Sequence, residues 1–142
     1  MNLSVSHLNS QLSNFNSTTN PVGLKFTDLD KAKEKSVAGN KYLVVGQTPI
    51  SELLLSKVTG EVFFFDEPRE TFVNSSLQQF VECLAKWHSL LMSGKNMTDE
   101  QSVAAAQAFL AFLAENDIKA ASEESFWHGL ASEVIEMHEE FV

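Results

Sequence analysis

A thiol and an imidazole five residues apart are the closest approach of this sequence to a catalytic pair. A cysteine nucleophile is activated by a base within hydrogen-bonding distance, and the two candidates are Cys83 and His88. Residues five apart on an α-helix point about 140° away from each other. Because the surrounding sequence has helical periodicity, we predict that these side chains do not meet and that Cys83 is a small buried hydrophobe.

Carboxylate and imidazole groups near the C-terminus provide the next candidate, half of a metal site. Glu124 and His128 are four residues apart, which also suits a surface pair. A zinc protease motif needs a second histidine at equally short spacing, but His138 lies ten residues further along. The sequence also lacks a Gly-x-Ser-x-Gly elbow and a Gly-rich phosphate loop. We therefore predict no catalytic, cofactor-binding or metal-binding residues and no enzyme activity.

Acidic side chains are the most prominent chemistry of the chain. The formal net charge is −9, and residues 60–142 hold fifteen acids against four bases, whereas residues 1–59 hold four acids against six lysines. A negative field repels nucleic acids and anionic membranes, and it speeds encounters with basic proteins. The alternative is that these acids form an ordinary solvated face. The candidate partner-binding acids are Glu61, Asp66, Glu67, Glu70, Glu115 and Asp117.

Aromatic residues are plentiful, but their setting indicates a core. The chain holds eleven Phe, two Trp and one Tyr. Surfaces that stack nucleic-acid bases interleave aromatic with basic residues, whereas Phe63–Phe65 lies between Glu61 and Asp66. Trp87 and Trp127 belong to apolar stripes with helical spacing. We therefore expect no nucleic-acid partner and assign these aromatic rings to packing.

Short β-branched and aromatic runs in the middle of the chain predict an antiparallel sheet. Thr59-Gly60 separates two of these runs and supplies the positive φ that a tight hairpin requires. Val62 to Phe65 is apolar on both faces, so we predict that its strand is central or covered on both sides. Gly39-Asn40 marks a turn after a mostly basic stretch. The predicted strands are 42–45, ended by Gly46, then 53–58, 61–66 and a short one at 70–73.

Helical periodicity replaces the strand pattern after residue 74. Asn74, Ser75 and Ser76 are candidate N-caps of a first helix, which Ser93-Gly94 closes. Thr98 with Gln101 begins a second helix, and a third begins near residue 122. A weaker apolar stripe suggests a short helix in the polar segment 1–20, which we expect to fray. The apolar residues of that stripe are Val5, Leu8, Leu12 and Phe15.

The order of elements predicts one α+β domain over residues 1–142, with a central antiparallel sheet of three to five strands. A weak N-terminal helix and three C-terminal helices pack on that sheet. No stretch approaches the roughly 20 apolar residues of a membrane-spanning helix, and we see no signal-peptide pattern. We therefore expect a cytoplasmic protein without a membrane partner.

Three short motifs occur in one order along the chain. Residues 42–46 read Tyr-Leu-Val-Val-Gly, and residues 59–62 read Thr-Gly-Glu-Val. The junction at 72–77 reads Phe-Val-Asn-Ser-Ser-Leu and continues into Phe80, Leu84 and Trp87. These motifs, with Asn116-Asp117 and Phe126-Trp127 after them, resemble the fourth named immunity group of the SUKH superfamily, related to the Smi/Knr-type fold. The resemblance covers roughly residues 40–138.

This resemblance implies an α+β protein that binds and neutralises a toxin domain delivered between competing bacteria, by steric and electrostatic cover. Such toxins are often nucleases or deaminases and tend to be basic, so an acidic inhibitor fits physically. The residues that carry the resemblance are mainly structural. Asn74, Ser75 and Ser76 are expected to cap a helix, and Phe80, Trp87 and Trp127 to pack in the core.

Two other functions remain open from the sequence. A type III secretion chaperone is also small, acidic, cytoplasmic and α+β, and such chaperones are homodimers. A measured mass would favour one or the other, although an immunity protein can be a monomer or a homodimer. The other alternative is an enzyme, but no nucleophile, base or metal-ligand set in the sequence is spaced so that it would come together in one site.

Overall fold

The structure, a computed structural model, describes residues 24–66, 69–91 and 97–139 together with Ser10. The stripe predicted as an N-terminal helix, the closing residues Ser93-Gly94 and the candidate acid Glu67 lie outside the described residues. The strands are β1 Lys25–Phe26, β2 Lys33–Val37, β3 Asn40–Gln47, β4 Glu52–Ser56, β5 Val62–Asp66 and β6 Arg69–Asn74. The helices are α1 Leu77–Leu91, α2 Asp99–Asn116 and α3 Phe126–Glu139, with 3₁₀ turns at Leu29–Lys31 and Ile118–Ala121.

The strands form one antiparallel sheet in the spatial order β1-β3-β4-β5-β6. β2 also pairs with β3, and it occupies the same edge of β3 as β1 does. β6 therefore lies at the opposite edge of the described sheet. The predicted α+β class and its central antiparallel sheet are confirmed, although the described sheet has six strands and not three to five.

Two tight hairpins depend on residues with positive φ. The predicted hairpin joins β4 to β5, where Gly60 has φ of 78° and its N–H donates to the Ser56 carbonyl at 3.1 Å. A second hairpin joins β2 to β3 through Ala38 and Gly39, with φ of 52° and 85°. The mostly basic stretch before this turn forms strand β2. Its residues are mostly polar, and their pattern did not predict a strand. Charged side chains are typical of such edge strands.

Gly46 does not end the first predicted strand. β3 continues to Gln47, and its register against β4 shifts between Val44 and Gly46. A Cβ at Gly46 would lie 3.3 Å from Cδ1 of Phe26 and 3.4 Å from Cβ of Leu53. The glycine is therefore needed for the close approach of the Phe26 ring, not to terminate the strand.

The inner face of the sheet packs against the three helices. Trp127 is fully buried. The centroid of its ring lies 6.2, 5.9 and 5.3 Å from the ring centroids of Phe80, Trp87 and Phe109. Val62 and Phe64 belong to this core, and the Phe64 ring stacks on the ring of Phe126 in α3. Within the described residues, no helix has the length and apolar character needed to cross a bilayer.

The outer face of the sheet carries a second, smaller apolar cluster. None of its members comes from a helix of the described chain. Phe63 and Phe65 point to this face, opposite to Val62 and Phe64, as the alternation in β5 predicts. The cluster consists of Tyr42, Val44, Leu54 and Phe65, with Val37 and Phe63 packed against it. The strand β5 therefore has an apolar layer on both of its faces.

Candidate partner-binding site

Asp117 is buried at the junction between strand β6 and helix α1. Its carboxylate accepts hydrogen bonds from Asn74 Nδ2 at 3.0 Å, the Ser75 N–H at 2.8 Å and Ser75 Oγ at 2.7 Å. Its own N–H donates to the Leu113 carbonyl and ends α2. Only 4% of Asp117 is exposed. The carboxylate therefore ties β6 to the end of α2, and its burial leaves it little surface to offer a partner.

Asn74 connects this carboxylate to the aromatic core. Its Oδ1 accepts a hydrogen bond from Trp127 Nε1 at 2.8 Å, while Nδ2 donates to Asp117 and to Cys83 Sγ at 3.4 Å. A fully buried amide must satisfy both its donor and its acceptor, since an unpaired one is costly. The network therefore fixes the positions of β6, α1 and α3 relative to one another.

The N-cap of α1 is Ser76, not Asn74 or Ser75. The Gln79 N–H donates to Ser76 Oγ at 3.2 Å, and Ser76 Oγ donates to Gln79 Oε1 at 2.9 Å. Asn74 is the last residue of β6, and Ser75 bonds Asp117 instead. Of the three residues expected to cap this helix, only one does so, because the other two side chains face the buried carboxylate.

Cys83 is poorly placed to act as a nucleophile, because its thiol is buried. Burial, the largest cause, raises the pKa of its thiol to about 12, so the thiol remains protonated at neutral pH. His88 lies on the same helix, five residues further along. Across the described ranges, no group of three or more His, Cys, Asp or Glu residues is arranged to hold a metal ion.

The structure does not bring the remaining candidate acids together. Glu61 forms an ion pair with Lys119 on the 3₁₀ turn, and its side chain is only 19% exposed. Asp66 and Glu70 are exposed at the β5–β6 hairpin, roughly 16 Å of strand length away from Glu61. Glu115 is exposed on α2. The predicted acidic set is therefore divided between the two ends of the sheet and the helices.

An open groove of about 810 Å³ runs beside strand β6. Its floor includes the edge-to-face rings of Phe63 and Phe72, with centroids 5.8 Å apart. The Lys119 ammonium lies 4.8 Å from the centre of the Phe72 ring. The groove is lined by Phe63, Arg69, Glu70, Thr71, Phe72, Lys119, Ser122 and Glu124. We call these eight residues the β6 groove.

Tyr42 connects the outer face of the sheet to the β6 groove. Its hydroxyl donates to Glu70 Oε1 at 2.9 Å, although β4 and β5 lie between the two residues. Neighbouring strands are about 4.8 Å apart, so the Tyr42 side chain must lie across the sheet. Burial and the Glu70 carboxylate raise the pKa of the Tyr42 hydroxyl, which keeps it a donor. The hydroxyl therefore holds the Glu70 carboxylate at the rim of the groove.

Charges of opposite sign lie on different parts of the fold. Lys31, Lys33 and Lys35 line a smaller groove of about 250 Å³ on the β1–β2 edge. On that edge the Lys57 ammonium donates a hydrogen bond to Glu34, and this contact lowers the pKa of the Glu34 carboxyl. The exposed acids of the helices and their connections are Glu82, Asp99, Glu100, Glu115, Glu123, Glu124, Glu133 and Glu136. The helical side is therefore the acidic side of the molecule.

The chain matches the model of one protein family over residues 13–133, and that family is described as SUKH-4 immunity protein. The match spans most of the sequence and includes the β6–α1 junction. The chain belongs to the SUKH-4 immunity protein family. The resemblance inferred from its sequence motifs is thereby confirmed, and the match begins well before residue 40. No curated protein and no solved structure matches the chain.

In this SUKH-4 protein, most motif residues lie at the junction or in the core, and Phe72 also lines the groove. Asn74, Asp117 and Trp127 form the buried network, whereas Phe63, Thr71 and Glu124 of the β6 groove stand outside it. Among the groove residues, the sequence suggested Glu70 as a partner-binding acid and Glu124 only as half of a metal site or a surface pair. The mixed charges of Arg69-Glu70 beside a short apolar run are the signal of an edge strand that would have pointed to the others.

Proposed function

We propose that this SUKH-4 protein binds a cognate toxin domain one-to-one and neutralises it by covering its active site or substrate path. The toxin is a basic domain, a nuclease or a deaminase, and the SUKH-4 protein performs no chemistry on it. The observation that carries the proposal is family membership together with a helical side rich in exposed acids. Enzymes that act on nucleic acids carry basic clefts, and an acidic surface complements such a cleft.

The acidic side chains of the helices act mainly on the rate of encounter. Exposed charges attract a basic partner over a Debye length of about 8 Å at physiological salt, which raises the association rate constant. Glu115, Glu133 and Glu136 are exposed on α2 and α3 and suit this role. Asp66 and Glu70 suit direct contact, since they lie at the hairpin beside the β6 groove.

Two of the acids first considered have no such role. Asp117 serves the junction, and the Glu61 carboxylate is already paired with Lys119. Removing either charge would mainly change the stability of the fold or of one local contact. It would change the encounter with a toxin less. The binding surface therefore consists of the helical acids and the residues at the β5–β6 hairpin.

The test uses the toxin domain encoded beside this chain's gene, purified together with it and then separated. Saturating SUKH-4 protein is expected to abolish the activity of this domain on nucleic acid or nucleoside substrates. The double variant Glu133→Gln/Glu136→Gln should lower the association rate constant about threefold at low salt. The matched control is Asp30→Asn/Glu34→Gln, which removes two exposed acids near the opposite edge of the sheet and should change that rate constant less than twofold.

Two outcomes would contradict the proposal. Full toxin activity in the presence of a large excess of the SUKH-4 protein would exclude neutralisation. Equal effects of the two double variants, with the same dependence on salt, would exclude steering by the helical side.

A further inference from the structure

We propose that the toxin supplies an extended strand that pairs with the outer edge of β6 and fills the groove beside it. This inference rests on the proposed function and adds the mode of recognition. In the resulting complex the antiparallel sheet continues from the SUKH-4 protein into the toxin, and the toxin segment has alternating basic and apolar residues.

The backbone of β6 supports this mode of binding. β6 is the last strand in the order of the described sheet, and no described strand pairs with its outer edge. Alternate residues of an edge strand direct their N–H and C=O groups away from the sheet. Arg69 and Glu70 are exposed, and the groove beside them is open. An added strand would satisfy these outward groups with main-chain hydrogen bonds.

The side chains of the β6 groove define the chemistry of the added strand. Glu70 and Phe72 lie opposite Phe65 and Phe63 in the register, and at this edge the Phe72 ring also packs against the main core. Residues two apart on an added strand would lie beside them. One of these residues is expected to be Lys or Arg, next to Glu70, and the other apolar, next to Phe72. Glu124, across the groove, provides a second carboxylate for a basic side chain of the opposite face.

The contact groups in the groove are already held in place. The Tyr42 hydroxyl fixes the Glu70 carboxylate, and the Phe72 ring is held between Phe63 and the Lys119 ammonium. Lys119 is in turn paired with Glu61, which reduces its repulsion of a basic segment. Groups that do not need to be ordered on binding lose less entropy, and this favours affinity.

The experiment measures affinity and backbone protection with the toxin domain encoded beside this chain's gene. Glu70→Gln and Phe72→Ala are each expected to raise the dissociation constant about tenfold or more. Asp30→Asn, which removes one exposed acid near the opposite edge, should raise it less than about threefold. Amide hydrogen exchange of residues 69–74 should slow when the toxin domain binds. Because Glu70 is exposed, the Glu70→Gln variant keeps its fold even if Phe72→Ala does not.

The outcomes separate this inference from the proposed function. Tight binding that neither Glu70→Gln nor Phe72→Ala weakens, with unchanged exchange in residues 69–74, would overturn strand addition and leave neutralisation intact. Failure of the wild-type protein to bind the toxin domain would overturn neutralisation itself. Slow exchange of β6 amides in a dimer of the free protein would assign the edge to a second copy of the chain and also overturn strand addition.

Discussion

Replacement of Asp117 tests the buried network, because the sequence suggested a place for this carboxylate on a binding surface and the fold buries it. We consider Asp117→Ala, which removes the acceptor of three hydrogen bonds from Asn74 and Ser75. A surface acid can be removed at almost no cost, whereas a buried acceptor cannot. The free energy of unfolding therefore distinguishes the two placements.

The expected loss follows from the hydrogen bonds. Each bond to a charged acceptor contributes about 1.5–3 kcal/mol, but the partly exposed Ser75 groups can bond water when the carboxylate is absent. The Asn74 amide is fully buried, and among the described residues its Nδ2 then retains only Cys83 Sγ as an acceptor. We expect Asp117→Ala to lower the free energy of unfolding by about 3–5 kcal/mol. Asp117→Asn should cost about 1–2 kcal/mol, since the amide oxygen still accepts from Asn74.

Urea denaturation monitored by tryptophan fluorescence is a suitable assay. Trp127 is itself bonded to Asn74, so its emission reports on the network. The control is Glu115→Ala, an exposed acid two positions earlier, for which we expect a change within about 0.5 kcal/mol. Similar unfolding free energies for Asp117→Ala and Glu115→Ala would refute the buried network and restore Asp117 as a surface group.

Two further predictions concern the core. Trp127→Ala should destabilise the protein by about 3–5 kcal/mol, since it empties the centre of the aromatic cluster and leaves Asn74 Oδ1 without its donor. An unchanged melting temperature would mean that α3 is not docked. Cys83 should resist a disulfide reagent at pH 8 in the folded protein and react fully in urea, because burial raises its thiol pKa to about 12. Rapid labelling of the native protein would contradict its burial. With the folded-state pKa raised, the contribution of this thiol to stability is present below the ordinary thiol pKa of 9.0 and declines as pH rises towards about 12.

Features that depend on neighbours in sequence could be predicted from the sequence. The β4–β5 hairpin follows from Gly60, whose positive φ is a local requirement of the turn. The two apolar faces of β5 follow from side-chain alternation, and the helices follow from their three-and-four spacing. The three motifs, taken in their order along the chain, indicated the family, since each is a continuous stretch of residues.

The roles of charged and polar residues depended on the tertiary structure. Asp117 is paired with Asn74, 43 residues earlier, and Lys119 with Glu61, 58 residues earlier. Which acid is buried and which is exposed is decided by these distant partners, which no local pattern contains. The β6 groove likewise combines two strands with the segment before α3. Periodicity reports which face of an element is apolar, but burial of a carboxylate depends on the donors that folding brings to it.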